Sequence, residues 1–174
     1  MTELSIPPTA TVPVTEYRTL MAGFPTGVSV VTTMSDGGPR GMTCSSLCSV
    51  TLNPPTLLVC LRSASPTLAA VLHRNAFAVN LLDEGAEEVA QLFASGTPDK
   101  FDRVNWRIDP AWGGPRLPSA AHAAANCRVV RTELVGDHVV VFGEVDDLWW
   151  GGNTDPLLYG RRRYAAWPSG PRKD

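Results

Sequence analysis

The chain has few of the devices that fix a function at sight. Its four cysteines, Cys44, Cys48, Cys60 and Cys127, form no C-x-x-C pair, and His73, His122 and His138 are scattered. That spacing does not suit a zinc or iron–sulfur centre, so no metal is expected. Cys44 and Cys48, read on one strand, would stand ~13 Å apart along it, beyond the reach of a disulfide. The cysteines therefore read as small buried hydrophobes in a reducing compartment. No apolar run approaches the ~20 residues that a membrane helix needs. The N-terminal stretch MTELSIPPTATVPV has Glu3 and three prolines where a secretory signal has basic residues and an apolar segment. It reads as a tail, or as an arm lying on a partner subunit, and the cytoplasm is the expected location. Basic excess is also missing: 15 Lys and Arg stand against 17 Asp and Glu, net −2. Phosphate-backbone binding wants the opposite balance, so nucleic acid is not the expected partner. The cluster Arg161-Arg162-Arg163 is too local to change that.

Nucleotide loops of the familiar kinds are absent too, since neither G-x-x-x-x-G-K-[ST] nor G-x-G-x-x-G occurs. What is present is concentrated in residues 41–67, GMTCSSLCSVTLNPPTLLVCLRSASPT. Thr43, Ser45, Ser46, Ser49 and Thr51 read as one hydroxyl-rich strand that ends in a rigid Asn53-Pro54-Pro55 turn. Small donors pack poorly as core, but beside a ligand they can hold a phosphate or the polar edge of a ring. Ser65 with Pro66 at the next position is a helix start, and unpaired N–H groups there attract anions. Arg62 can add a bidentate grip on phosphate oxygens.

A length of 174 residues suits a single domain, expected over 15–168 with tails at 1–14 and 169–174. Glu16 to Phe24 reads as a helix capped by Thr15. Val28 to Met34 reads as a strand that turns at Asp36-Gly37-Gly38 into the next. Thr56–Leu61 and Ala76–Leu82 read as strands, separated by a helix from Ser65 to about His73. A helix over Ala86–Ala94 precedes a long loop over 95–118. Cys127–Val135 and His138–Trp149 read as a hairpin through Gly136-Asp137. Val139 to Phe142 is continuously apolar, as for a strand buried on both faces. A last strand is expected over about Arg161–Trp167. The expected fold class is mainly β, an antiparallel barrel of six or seven strands with short helices. Trp106, Trp112, Trp149 and Trp150 read as core, interface or loop-packing aromatics.

Phe24-Pro25-Thr26-Gly27-Val28, Gly41-Met42-Thr43, Asn53-Pro54-Pro55, Phe77-Ala78-Val79-Asn80-Leu81, Lys100-Phe101, Gly136-Asp137-His138 and Pro156-Leu157-Leu158-Tyr159 stand in the order found in one family. Over roughly residues 20–165 the chain resembles the flavin reductase family, the FMN-binding split-barrel reductases that feed reduced flavin to two-component monooxygenases. The resemblance implies a split β-barrel homodimer with flavin near the subunit interface. It implies reduction of free FMN or FAD by NADH or NADPH, and a flavin-dependent monooxygenase as functional partner. The flavin contacts it implies are Thr43, Ser45 and Ser46 at the ring edge, with Cys44 between them. Arg62, Ser65 and Thr67 would hold phosphate, with Lys100 and Phe101 beside the flavin. His138 falls on the open flavin face, where it would position the nicotinamide and serve catalysis. Tyr159 and Arg163 read equally as part of a charged edge strand and as contacts with the dinucleotide by stacking and charge. Three other readings stand beside this one: a reductase that keeps FMN as a prosthetic group, a flavin-binding sensor without turnover, and a pyridoxamine-phosphate-oxidase-like barrel.

Overall fold

A computed structural model of the chain describes residues 12–152 and 154–168; of the expected tails only 12–14 fall within them. The first element is α1 (Val14–Ala22), followed by β1 (Thr26–Gly27), β2 (Ser29–Ser35), β3 (Gly38–Cys44), β4 (Cys48–Leu52) and β5 (Pro55–Arg62). Then come α2 (Pro66–Arg74), β6 (Ala76–Leu82), α3 (Glu87–Ala94) and a 3-10 turn at Lys100–Arg103. The long hairpin β7 (Ala121–Val135) and β8 (His138–Trp150) precedes β9 (Leu157–Gly160) and β10 (Arg163–Ala166).

Seven strands form one antiparallel sheet in the order β3-β2-β6-β7-β8-β5-β4. Its two edge strands, β3 and β4, follow one another in sequence with only residues 45–47 between them. Such a sheet must curl until its edges meet, and a barrel results. Ser46 closes the seam: its Oγ accepts from Cys60 N–H at 3.0 Å and lies 3.2 Å from Cys60 C=O. The expected single hydroxyl-rich strand is therefore two strands, because the chain leaves one edge of the sheet and joins the other. Cys44 and Cys48 accordingly do not share a strand.

Alternation along β2 sorts the core into two layers. Val31 points into the barrel with Val59, Leu61, Phe77, Val79, Cys127 and Val141, and Leu68 and Val71 of α2 close that core. Val28 and Val30 point outward, against Ala90 and Phe93 of α3, Phe101 and Leu157. The β9–β10 hairpin pairs with β1 as a separate three-stranded sheet, and its Tyr164 packs on the outer layer. Residues 104–120 lie over the same outer face. Buried Asn80 donates to Pro115 C=O at 3.1 Å and accepts from Leu117 N–H at 2.9 Å.

Several sequence expectations shift. Thr15 is not the cap of α1: Pro13 occupies that position without a side-chain hydrogen bond, and the helix ends at Ala22 before Gly23. Of Val139–Phe142 only Val141 is buried, because the far half of the hairpin extends beyond the covered part of the sheet. Trp112 is buried against Ala78 and Ala124 with Trp149 beside it, whereas Trp150 is exposed.

Arg161–Trp167 is not one strand, since Arg161 and Arg162 are the two residues of a turn, with φ of 50° and 61°. Two positive φ values match the twist of a tight hairpin but strain side-chain-bearing residues. Arg162→Gly is therefore expected to raise stability by about 0.5–1 kcal/mol, the relief of left-handed strain less the entropy that glycine adds to the unfolded chain. A lower urea midpoint for the variant would show that the Arg162 side chain contributes more than its backbone costs.

Candidate active site

A concavity of about 750 Å³ lies along the edge of β3, within the range of small-molecule sites. Since β3 pairs only with β2, the backbone groups on its other side lie outside the sheet's ladder, and Pro39 to Thr43 of this strand line the cavity. One bank is the β5–α2 junction, with Arg62, Ser65 and Thr67; the other is the end of α3 and the segment after it, with Ser95, Thr97, Lys100 and Phe101. Between them, Arg40 to Thr43 form the floor.

Each bank is placed by contacts that its own sequence explains. Ser65 caps α2, its Oγ accepting from Thr67 N–H at 3.2 Å and donating to Met42 Sδ at 3.4 Å. Pro66 carries no N–H, so the helix start offers fewer free amides than its sequence suggests. The Thr67 hydroxyl is different: among the described residues it makes no hydrogen bond, although Thr67 is only 5% exposed. An unspent hydroxyl on a residue that lines the cavity is free to bind a ligand. On the other bank, Lys100 Nζ donates to Phe93 C=O at 3.0 Å. Partial burial lowers its pKa below the usual lysine value, and an anion beside it would favour the charged form. Phe101 meets Phe93 edge to face at 5.1 Å, and Gly41 leaves room for both rings. A Cβ at Gly41 would fall 2.8 Å from Phe93 Cε1.

Arg62, Ser65, Thr67, Lys100, Phe101 and Thr43 thus come together. Thr43 spends its hydroxyl on Ala90 C=O at 2.6 Å, fastening α3 to β3, so it has its backbone to offer rather than its side chain. Cys44 lies behind the wall, where burial pushes its thiol pKa up and keeps it protonated. Ser46 is at the barrel seam, and Ser45 is exposed beside it. His138 does not line the cavity but sits directly across the β5–β8 ladder from Arg62. Its Nδ1 lies 2.8 Å from Asp137 Oδ1. That hydrogen bond is the main cause holding the Asp137 carboxyl below its ordinary pKa, and Arg62 adds to it. Tyr159 and Arg163 stand apart on the small sheet, Tyr159 against Tyr164 at 5.0 Å. Arg40, Met42, Ser95 and Thr97 line the cavity and were missed by sequence reasoning.

An edge strand between a cationic helix start and a lysine-bearing turn suits a phosphorylated, partly aromatic ligand. Among the described residues no group of acidic, histidine or cysteine side chains could hold a metal, and no helix is long and apolar enough to cross a membrane. The flavin reductase like domain model matches residues 21–168. The chain belongs to that family. It is 47% identical over 161 residues to a flavin reductase (NADPH) of Lentzea aerocolonigenes, covering 92% of this chain and 94% of the relative. Among solved structures it superposes with a TM-score of 0.83 on the NADH:FAD oxidoreductase of Streptomyces globisporus C-1027 in complex with NAD and FAD fragments. That match has 32% identity and covers 92% and 94% of the two chains. The styrene monooxygenase flavin reductase of Pseudomonas putida S12 matches with a TM-score of 0.79 and 29% identity, over 88% and 99% of the chains.

Proposed function

We propose that this protein reduces free flavin with NADH or NADPH at the β3-edge cavity and releases it to a flavin-dependent monooxygenase. The observation that carries this reading is the cavity wall itself. Arg62 and Lys100 line it together with the Thr67 hydroxyl, Arg40 lies farther along the β3 edge, and among the described residues no carboxylate lines it. None of the three cations makes an ion pair among the described residues. A wall of that kind fits the phosphate end of a flavin, and the backbone of β3 supplies donors for the polar ring edge. A flavin held there would supply the redox chemistry, taking up a hydride from the nicotinamide and a proton from solvent to leave NAD(P)⁺.

The chain's own residues bind and orient. Arg62 and Thr67 hold phosphate, Lys100 adds charge from the other bank, and Phe101 backs the ring side of the cavity. His138, across from Arg62 and fixed by Asp137, positions the nicotinamide where it can reach the ring. No covalent anchor is needed, which suits a flavin that arrives and leaves as substrate.

A second copy of the chain completes the proposal, and cytoplasmic location goes with it. Helix α1 buries no residue, although Val14, Tyr17, Leu20 and Met21 are apolar and exposed, as is Phe24 just beyond it. So short a helix has little stability without tertiary packing, so a partner surface is its natural support. Tyr159 and Arg163, remote from the cavity of their own chain, would then meet the dinucleotide through that assembly. The purified protein is expected to consume NADH or NADPH only when FMN or FAD is added, followed at the nicotinamide absorbance band. Turnover from the protein's own flavin would favour a prosthetic group, and binding without turnover would leave a flavin-binding module.

A further inference from the structure

Arg40 has no part in the phosphate cradle just described, yet it lines the same cavity. Side chains two apart on a strand share a face, so Arg40 leaves β3 on the side of Met42, whose sulfur touches the Ser65 cap. It is therefore displaced from the cradle by one strand repeat, about 6–7 Å along the edge. Lys100 comes in from the opposite side, beside Phe93 and Gly41. The Arg40 guanidinium is only lightly held. Among the described residues its one hydrogen bond is a 3.4 Å contact with Pro39 C=O, and it leans back over Gly37, where a Cβ would lie 3.3 Å from Nη2. Glycine at the hairpin turn leaves the long side chain room to swing toward the cavity.

A single phosphate seated at Arg62 and Thr67 has no use for a second guanidinium one strand repeat away. A diphosphate does, because its two phosphorus centres share a bridging oxygen and carry charge outward along the edge. We infer that Arg40 is a specificity residue, binding the second phosphoryl group of a flavin dinucleotide and favouring FAD over FMN. The inference rests on the cavity being the flavin site.

The test compares wild type with Arg40→Ala and Arg40→Lys, measuring FAD, FMN and riboflavin affinities by flavin fluorescence and the Michaelis constants for NADH and NADPH. The alanine variant is expected to lose about tenfold in FAD affinity, as for one charge-assisted contact, with FMN and riboflavin changed less than twofold. The lysine variant should recover part of the loss. Equal losses for FMN and FAD, or no loss for either, overturn the inference while leaving the flavin site in place. A raised constant for NADPH alone, with FAD affinity intact, overturns it by moving the contact to the nicotinamide 2′-phosphate. Wild-type protein that binds no flavin at all would overturn the proposed function itself, and this inference with it. Unaltered riboflavin affinity serves as the check that each variant is folded.

Discussion

Gly114→Ala is expected to lower stability by about 3 kcal/mol or more, and at 37 °C to leave much of the protein unfolded. A Cβ at Gly114 would collide with the Thr32 carbonyl oxygen and lie 2.5 Å from its carbon, so backbone meets backbone and nothing nearby can rotate away. The segment cannot simply lift. Thr32 Oγ1 donates to Pro115 C=O at 2.6 Å, Gly113 N–H donates to Asn126 Oδ1 at 2.8 Å, and Asn80 grips both Pro115 and Leu117. Thr32 and Asn80 are fully buried and Asn126 nearly so. Lifting the strap strands these groups away from water, and each unsatisfied group costs about 1–3 kcal/mol. Gly27→Ala is the control, because nothing lies within 4 Å of a Cβ there. Urea denaturation followed by circular dichroism compares the two. A Gly114 variant within 1 kcal/mol of wild type would mean that the strap is loose.

This strap also shows why part of the fold escapes a reading of the sequence. Residues 95–118 carry glycine, proline and tryptophan without periodicity, and a loop is all that pattern can say. Their order comes from Asn80 and Asn126, buried polar residues on strands whose sequences merely look β-forming. The strands themselves were legible, because β2, β5, β6 and the β7–β8 hairpin combine β-branched runs with clear turn residues. Break points were not. Residues 43–51 look like one hydroxyl-rich strand, and only the closing of the barrel makes Ser45–Leu47 a crossing between its two edges. Arg161-Arg162 lacks the glycine or asparagine that marks a tight hairpin, so by pattern alone the turn looks like strand. The site divides in the same way. Arg62, Ser65, Thr67, Lys100 and Phe101 follow from local signals and resemblance, and the fold brings them to one cavity. Whether a hydroxyl is free depends on its neighbours: Thr43 and Ser46 are spent on backbone carbonyls and amides, which no motif reveals.

That distinction leads to the sharpest functional expectation, at Thr67. Of the hydroxyls first considered for phosphate binding, Ser65 is already engaged by the Thr67 amide and by Met42, whereas the Thr67 hydroxyl is unspent. Thr67→Val keeps the shape of the nearly buried side chain and removes only that donor. A hydrogen bond to a charged acceptor is worth about 1.5–3 kcal/mol, so FMN affinity should fall roughly tenfold to a hundredfold. Riboflavin, which lacks the phosphate, should bind as before, and the urea midpoint should hardly move. Ser65→Ala should behave differently. Loss of the cap costs about 1 kcal/mol of stability, and FMN affinity should fall less than in the Thr67 variant. Titrating both variants with FMN and riboflavin, beside their denaturation curves, separates a residue that grips phosphate from one that only starts a helix. Equal losses for FMN and riboflavin at Thr67 would place the phosphate elsewhere in the cavity, and the Lys100 bank would then be the next place to seek it.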